Sequence, residues 1–348
     1  MYSLEQLIID RVMGEGACAY GFATTETLAG GPPSVNLEYV LPGARSAISF
    51  AIPLDQSCIP PYLMKKDHLS QQKDNTRANK IASGIALDLA RYLEQKGFPS
   101  YPVASNQVYR QDTPRGIFDL KPDVSLRYLA VRSGVSHMSL SGNAITKNEG
   151  AAIILGGVVT TAELHPTAPL PQEENYCDGC RLCMAACLSG LMDPEEEEII
   201  TLGGVSFTYA KRREYNRCGY VCGGFTGLHP SGTWSTWSPG RFPIPERDED
   251  FGPAVMQHLD IHTRRPAMDG ARIHPLIEGK FSMTCGMCQL VCAPDKEERK
   301  KRYKMLAESG CAVQNPDGLI EAVPPAEACR RLAAMDSETR ALYEEVQG

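Results

Sequence analysis

Seven cysteines in two short runs constrain this chain more than any other feature of its sequence. Cys177, Cys180, Cys183 and Cys187 read C-x2-C-x2-C-x3-C, and Cys285, Cys288 and Cys292 read C-x2-C-x3-C. Two-residue gaps let one tight loop aim three thiols at a single small object. The wider step begins a helix that carries its cysteine away from that object. The second run lacks a local fourth thiol, which Cys218 or Cys222 can provide. Zinc sites are built from separated C-x2-C pairs, whereas a four-cysteine run of this kind is typical of 4Fe-4S binding.

In two-cluster ferredoxins the fourth cysteine of such a run serves the other cluster. The same exchange here gives Cys177, Cys180 and Cys183 with Cys292 for one 4Fe-4S cluster. It gives Cys187, Cys285 and Cys288 with Cys218 for the other, and Cys222 stands as the alternative to Cys218. Cys187 is followed by Leu188 and not by the proline common in ferredoxins; proline shapes the loop and binds no iron. Cys18, Cys58, Cys311 and Cys329 lie apart and read as ordinary packing residues.

Thirteen cysteines in 348 residues would suit a disulfide framework only in an oxidising compartment. The stretch from Met1 to Asp10 has neither a basic nor a continuously apolar segment, and no span is long and apolar enough for a membrane. The expectation is a cytoplasmic protein whose cysteines serve metal or redox chemistry. A formal charge of −7 argues against nucleic acid, because no broad basic surface is available to release counterions.

The first half alternates helix and strand. Apolar residues at Leu4, Leu7, Ile8 and Val12 predict a helix ending at Gly14. The run from Ala47 to Ile52 predicts a buried strand. Ile81, Ile85, Leu89 and Leu93 line one face of a helix from Asn75 to Lys96, with Gly97 as its cap. A further helix is expected from Val124 to Ser133 and a strand within Ala151 to Thr161. These elements define an α/β domain over residues 1–165. A cysteine-organised module follows over 166–295, with a Gly-, Ser- and Pro-rich inserted loop at 219–245, and then a charged helical tail over 296–348.

This order of features resembles the epoxyqueuosine reductases and, more distantly, the reductive dehalogenases. Leu41-Pro-Gly-Ala-Arg-Ser-Ala-Ile48 is similar to the segment entering that family's first core strand. Leu129-Ala-Val-Arg-Ser-Gly134 resembles the helix before its glycine-rich motif. Leu155-Gly-Gly-Val-Val-Thr-Thr-Ala-Glu-Leu164 resembles the strand leading to the first cysteine run, and Arg217-Cys218 its isolated arginine–cysteine pair. The resemblance implies a nitroreductase-like α/β domain holding cobalamin, joined to a bacterial-ferredoxin-like module with two 4Fe-4S clusters. It implies a reductase fed by a ferredoxin or flavodoxin and acting on a small molecule or a corrinoid protein.

The resemblance departs at Gly134-Val-Ser-His-Met-Ser-Leu-Ser141, where the family carries a glycine-rich segment, and at Leu126, where it carries a glutamate. The substrate expected is therefore one other than queuosine. A flavin in place of cobalamin, and an electron carrier or reductive activator in place of a reductase, are the alternatives.

The catalytic candidates are Asp123 as a proton donor or helix-terminal acid, Tyr109 with Arg110 as a donor pair or loop packing, and His137 as a cofactor neighbour or core histidine. Gly142 and Asn143 form a turn that either faces a cofactor or is simply turn chemistry. The basic run from Lys296 to Lys304 reads as a solvated helix face or as a docking patch for an acidic donor.

Overall fold

A computed structural model describes residues 3–105, 108–267 and 283–346. Its strands are β1 (Ala19–Thr24), β2 (Ser46–Pro53), β3 (Ser100–Val103), β4 (His137–Met138), β5 (Ala144–Ile145), β6 (Ile153–Thr160), β7 (Met192–Leu202), β8 (Val205–Arg212), β9 (Cys311–Gln314) and β10 (Ile320–Val323). The helices that matter below are α1 (Leu4–Gly14), α2 (Ile59–Leu63), α3 (Leu69–Gln95), α4 (Leu126–Arg132), α5 (Leu182–Ala185), α6 (Tyr215–Cys222), α7 (Phe251–Thr263), α8 (Met287–Leu290), α9 (Lys296–Ala307) and α10 (Pro325–Ala333).

The architecture is mixed α/β. Its main sheet has the order β1-β2-β6-β3, and every pairing in it is antiparallel. The central strands β2 and β6 are buried on both faces, which is why they read as nearly unbroken apolar runs in the sequence. Ala78, Ala82, Ala86 and Leu89 on α3 pack against this sheet. Helix α3 begins at Leu69, six residues before the expected Asn75, and Gly97 follows its end at φ +90°. Ser3 caps α1 by accepting from the Gln6 N–H at 3.2 Å, and the Ser125 hydroxyl does the same for α4 through the Tyr128 N–H.

The cysteine-bearing half shares the core of the first half. Ile48, Phe50 and Ile154 of the sheet belong to one apolar cluster with Trp234, Trp237, Met287, Leu290 and Leu306. Tyr62 on α2 donates to the Cys285 carbonyl at 3.2 Å, and the Trp237 indole donates to the Tyr62 carbonyl at 3.1 Å. These contacts span more than 170 residues of sequence. They tie the irregular segment 223–245, which holds both tryptophans, into the interior.

Two hairpins were not expected. One, β7 with β8, separates the first cysteine run from Cys218. The other, β9 with β10, lies in the stretch read as a purely helical tail, and α10 follows it. Among the described residues no helix is long and apolar enough to cross a membrane.

Candidate metal centres and the adjoining pocket

The first cysteine run opens in an irregular segment in which Arg181 takes a left-handed backbone conformation, φ +59°, before α5. Cys183 lies within that short helix, and Cys187 follows its end. The second run straddles α8. Cys177, Cys180, Cys183 and Cys292 line one pocket, together with Tyr176 and Arg299. Gly150 makes this possible: at φ +68° a side chain there would meet the Cys292 carbonyl oxygen at 2.2 Å. That carbonyl accepts from the Ala151 N–H at 3.0 Å, pinning the end of the second run to the entrance of β6.

Burial pushes the Cys183 thiol up to about 12, and the neighbouring Cys292, Cys177 and Cys180 add to the rise. Burial likewise raises Cys292 to about 11. Cys187, Cys218, Cys285 and Cys288 form a second mutually interacting set. Burial drives Cys285 to about 12, with further contributions from Cys218 and Cys187. Burial also raises Cys288 well above the ordinary thiol range, reinforced by Cys187, Cys285 and Cys218. Cys218 is raised chiefly by its hydrogen bond with Cys222 and then by burial, so Cys222 stands beside this set.

Thiols that hinder one another's ionisation are expensive to hold as thiolates without a cation among them, and metal binding removes that cost by displacing their protons. A single zinc ion with Zn–S bonds of 2.3 Å would need its thiolates roughly 3.8 Å apart. Among the described residues no three or more His, Cys, Asp or Glu side chains come together tightly enough to hold one ion. Cys177, Cys180, Cys183 and Cys292 around one pocket supply four thiols, the ligand number of a 4Fe-4S cluster. Three hydrogen-bonding groups already face the sulfurs. The Leu140 N–H donates to Cys177 Sγ at 3.2 Å, Tyr176 Oη lies 3.7 Å from Cys292 Sγ, and Ser189 Oγ lies 3.4 Å from Cys187 Sγ.

Next to the second set lies an open pocket of about 560 Å3, between the end of β8, the start of α6 and the turn at 116–119. Most of its charges are paired. Arg115 bridges Asp119 and Glu214, Arg213 holds Asp193, and Arg217 holds Asp248. Arg212 is different, for among the described residues its guanidinium has no carboxylate partner. It donates to the Ser141 carbonyl at 2.8 and 2.9 Å, to Asn143 Oδ1 at 2.7 Å and to the Tyr215 hydroxyl at 3.1 Å. Burial alone would raise the Tyr215 phenol, but Arg212 and Arg127 outweigh it and bring the group down to about 8. The Gly142 carbonyl accepts from Arg127 Nη1 at 2.9 Å, and a side chain at Gly142 would run into Tyr209 and both arginines. The turn at Gly142 and Asn143 is thus a bracket for two cations.

The other expected residues are placed as follows. Tyr109 lies close to the second set. Burial, and then Cys222, Tyr215 and Cys218, push its hydroxyl up to about 12. Arg110 does not pair with it; its guanidinium grips Asp112 at 2.6 and 2.8 Å and stacks over Tyr39. Successive residues of an extended segment point to opposite sides, which separates this pair. Asp123 is buried, accepts from the Tyr101 hydroxyl at 3.0 Å and from the Val124 N–H at 2.7 Å, and is not among the residues lining the pocket. His137 is buried on β4 opposite Ile145. Each lysine of the 296–304 run lies within an ion pair, with Asp178, Glu297, Glu298 or Glu308, and Asp178 and Glu298 are each shared with a buried arginine, Arg299 and Arg302 respectively. The Tyr215–Arg212 pair escaped sequence reading because it joins the last residue of a strand to the first of a helix, with no motif to mark either.

No protein-family model matches the chain. Over 189 residues it is 25% identical to the epoxyqueuosine reductase of Gloeobacter violaceus, an alignment covering 51% of each protein. The chain thus spans about half the length of the curated relative it matches. Among solved structures, it is similar to an epoxyqueuosine reductase bound to a tRNA-Tyr epoxyqueuosine-modified stem loop, at 15% identity and a TM-score of 0.45 over 97% of this chain and 74% of that one. It is also similar to a reductive dehalogenase described as B12-dependent, at 13% identity and a TM-score of 0.48 over 96% of this chain and 48% of that one. By sequence, the chain is similar to an epoxyqueuosine reductase over about half its length.

Proposed function

We propose that this protein is an iron–sulfur oxidoreductase that delivers low-potential electrons to a substrate held in the pocket beside Tyr215. The observation that carries this reading is the adjacency of a converging set of four thiols, Cys187, Cys218, Cys285 and Cys288, to a pocket holding a tyrosine–arginine pair. Two 4Fe-4S clusters bound by the two thiol sets would supply single electrons at low potential.

The chain's own residues do the rest. Tyr215 holds a proton at its phenolic oxygen, within reach of the pocket. Arg212 stabilises the phenolate left behind, which is how a phenol becomes a useful acid near neutral pH. Asn143 and the Ser141 carbonyl fix the guanidinium so that it cannot swing away. Tyr109 feels the charges of both Tyr215 and the cysteines Cys218 and Cys222. The charged walls and the volume suit a small polar substrate. A corrinoid cofactor enters by family resemblance, and so does the choice between a reductase and an electron carrier that activates a corrinoid protein. The proposed substrate differs from epoxyqueuosine, because the segment from Gly134 to Ser141 lacks the family's glycine-rich pattern. The net charge of −7 does not decide against nucleic acid, since a relative of this family is solved with a tRNA stem loop.

The test is anaerobic purification with iron, cobalt and zinc analysis, followed by spectra with and without added cobalamin. About eight irons per chain and saturable corrinoid binding are the expected result. Eight irons without corrinoid affinity would favour the electron carrier or a flavoprotein, and zinc in place of iron would overturn the reading.

A further inference from the structure

Arg299 on α9 lines the pocket formed by Cys177, Cys180, Cys183 and Cys292, and it is only 3% exposed. Its side chain curls around the backbone just beyond the last of these cysteines. Nη1 donates to the carbonyls of Ala293 and Pro294 at 3.1 and 2.9 Å, and Nη2 donates to Asp178 Oδ1 at 3.1 Å. Its Nε–H, by contrast, is buried and has no partner among the described residues. Leaving an N–H of a buried guanidinium unpartnered is costly, so a partner within the pocket is the physical expectation.

The local charge is also unbalanced. Asp178 is shared between Arg299 and Lys296, which lies 2.8 Å away, so the group of three carries one net positive charge beside the thiols. The guanidinium also lies 5.4 Å from the Tyr176 ring centre, and the hydroxyl of that ring reaches Cys292 Sγ. Cation, phenol and thiol therefore occupy one corner of the pocket.

We propose that Arg299 donates its Nε–H to a sulfur of the iron–sulfur cluster held by Cys177, Cys180, Cys183 and Cys292, and thereby raises that cluster's reduction potential above the value its thiolates alone would give. This rests on the reading of the thiol set as a cluster site. Reduction adds one electron and one negative charge to the cluster, and a hydrogen-bonded cation stabilises the more negative state more than the oxidised one. Net charge and hydrogen bonds to sulfur are the protein's principal levers on cluster potential. Arg299 acts through the cluster and touches no substrate, so it is a positioning and tuning residue.

The experiment is a potentiometric titration of the reconstituted full chain, followed by electron paramagnetic resonance, on the wild type and on Arg299→Lys and Arg299→Gln. In Arg299→Gln one midpoint falls far enough to change the oxidised-to-reduced ratio about tenfold at fixed potential, equivalent to about 59 mV for one electron, while the other midpoint stays put. Arg299→Lys keeps the charge, loses the Nε donor and falls in between. Since Arg299→Gln also cuts the tie to Asp178, the wild type is examined directly as well. Chain labelled with 15N-arginine should show a weak nitrogen coupling to one reduced cluster, absent from Arg299→Lys. Fully loaded variants with both potentials unchanged, or no 15N coupling in the wild type, overturn the proposal. A wild-type chain that binds no iron instead overturns the cluster reading on which it stands.

Discussion

The Tyr215 hydroxyl accepts a hydrogen bond from Arg212 Nη1 at 3.1 Å, and among the described residues the arginine making that bond has no carboxylate to neutralise it. A phenol in this position works as an acid only while protonated. Turnover should therefore fall as pH rises through about 8, the value to which the two arginines bring Tyr215 against the effect of burial. Arg212→Gln should move that limb upward, toward the ordinary phenol range. Tyr215→Phe should reduce kcat by roughly 10²- to 10⁴-fold with iron content unchanged. A pH–rate profile that stays flat from 7 to 9 in the wild type would remove Tyr215 from the mechanism.

The choice of fourth ligand for the second thiol set can be read from iron content. Cys218 interacts with Cys187, Cys285 and Cys288, while Cys222 reaches the set through its hydrogen bond with Cys218. Cys218→Ser should lower iron from about eight to about four per chain and abolish one of two cluster signals, and Cys222→Ser should keep about eight. The opposite pattern would make Cys222 the ligand.

How far the sequence carried this reading follows from what each signal depends on. The cysteine runs, β2, β6 and α3 were legible because spacing and apolar periodicity are local. The β7–β8 hairpin was not, because the four exposed glutamates from Glu195 to Glu198 look like a solvated loop, and the side chains it sends into the core cluster, Ile200, Leu202 and Tyr209, are scattered over both strands. Strands β9 and β10, four residues each, are too short to show a period among charged neighbours. Tyr109–Arg110 misled for a simple reason: adjacency in sequence is separation in space along an extended chain. Tyr215–Arg212 was invisible because the strand-to-helix junction that creates it has no composition of its own.

Lys65 offers a test of the core. It is 6% exposed, sits at φ +54°, and donates to Ser309 beneath the Trp234 ring. Burial lowers its ammonium to about 7. Between about pH 7 and the ordinary lysine value the unfolded chain binds the extra proton, so stability rises with pH across that window, and the loss on acidification is complete once pH has fallen through about 7. Denaturant unfolding at pH 7 and pH 8.5 should differ by no more than about 2 kcal/mol in favour of the higher pH, and Lys65→Met should flatten the dependence. A wild type equally stable at both values would contradict this account.

Asp123 should behave as a structural residue. It accepts from Tyr101 and Val124 in a buried setting, so Asp123→Ala leaves two donors unsatisfied and should cost about 1–3 kcal/mol. Activity per folded molecule should hold. A large fall in kcat with unchanged unfolding free energy would return Asp123 to the list of proton donors.

Gly150 and Ala151 anchor Cys292 to the start of a strand laid down some 140 residues earlier, while the thiols that share its pocket come from Cys177 to Cys183. Neither thiol set is complete on any stretch of chain that stops short of the second run. A ribosome halfway through the message would expose half-built coordination spheres, able to capture stray zinc or copper but unable to close around a cubane. If the two thiol sets hold the proposed clusters, iron loading in such a topology belongs after synthesis, and mismetallation in metal-rich expression cultures is its natural failure.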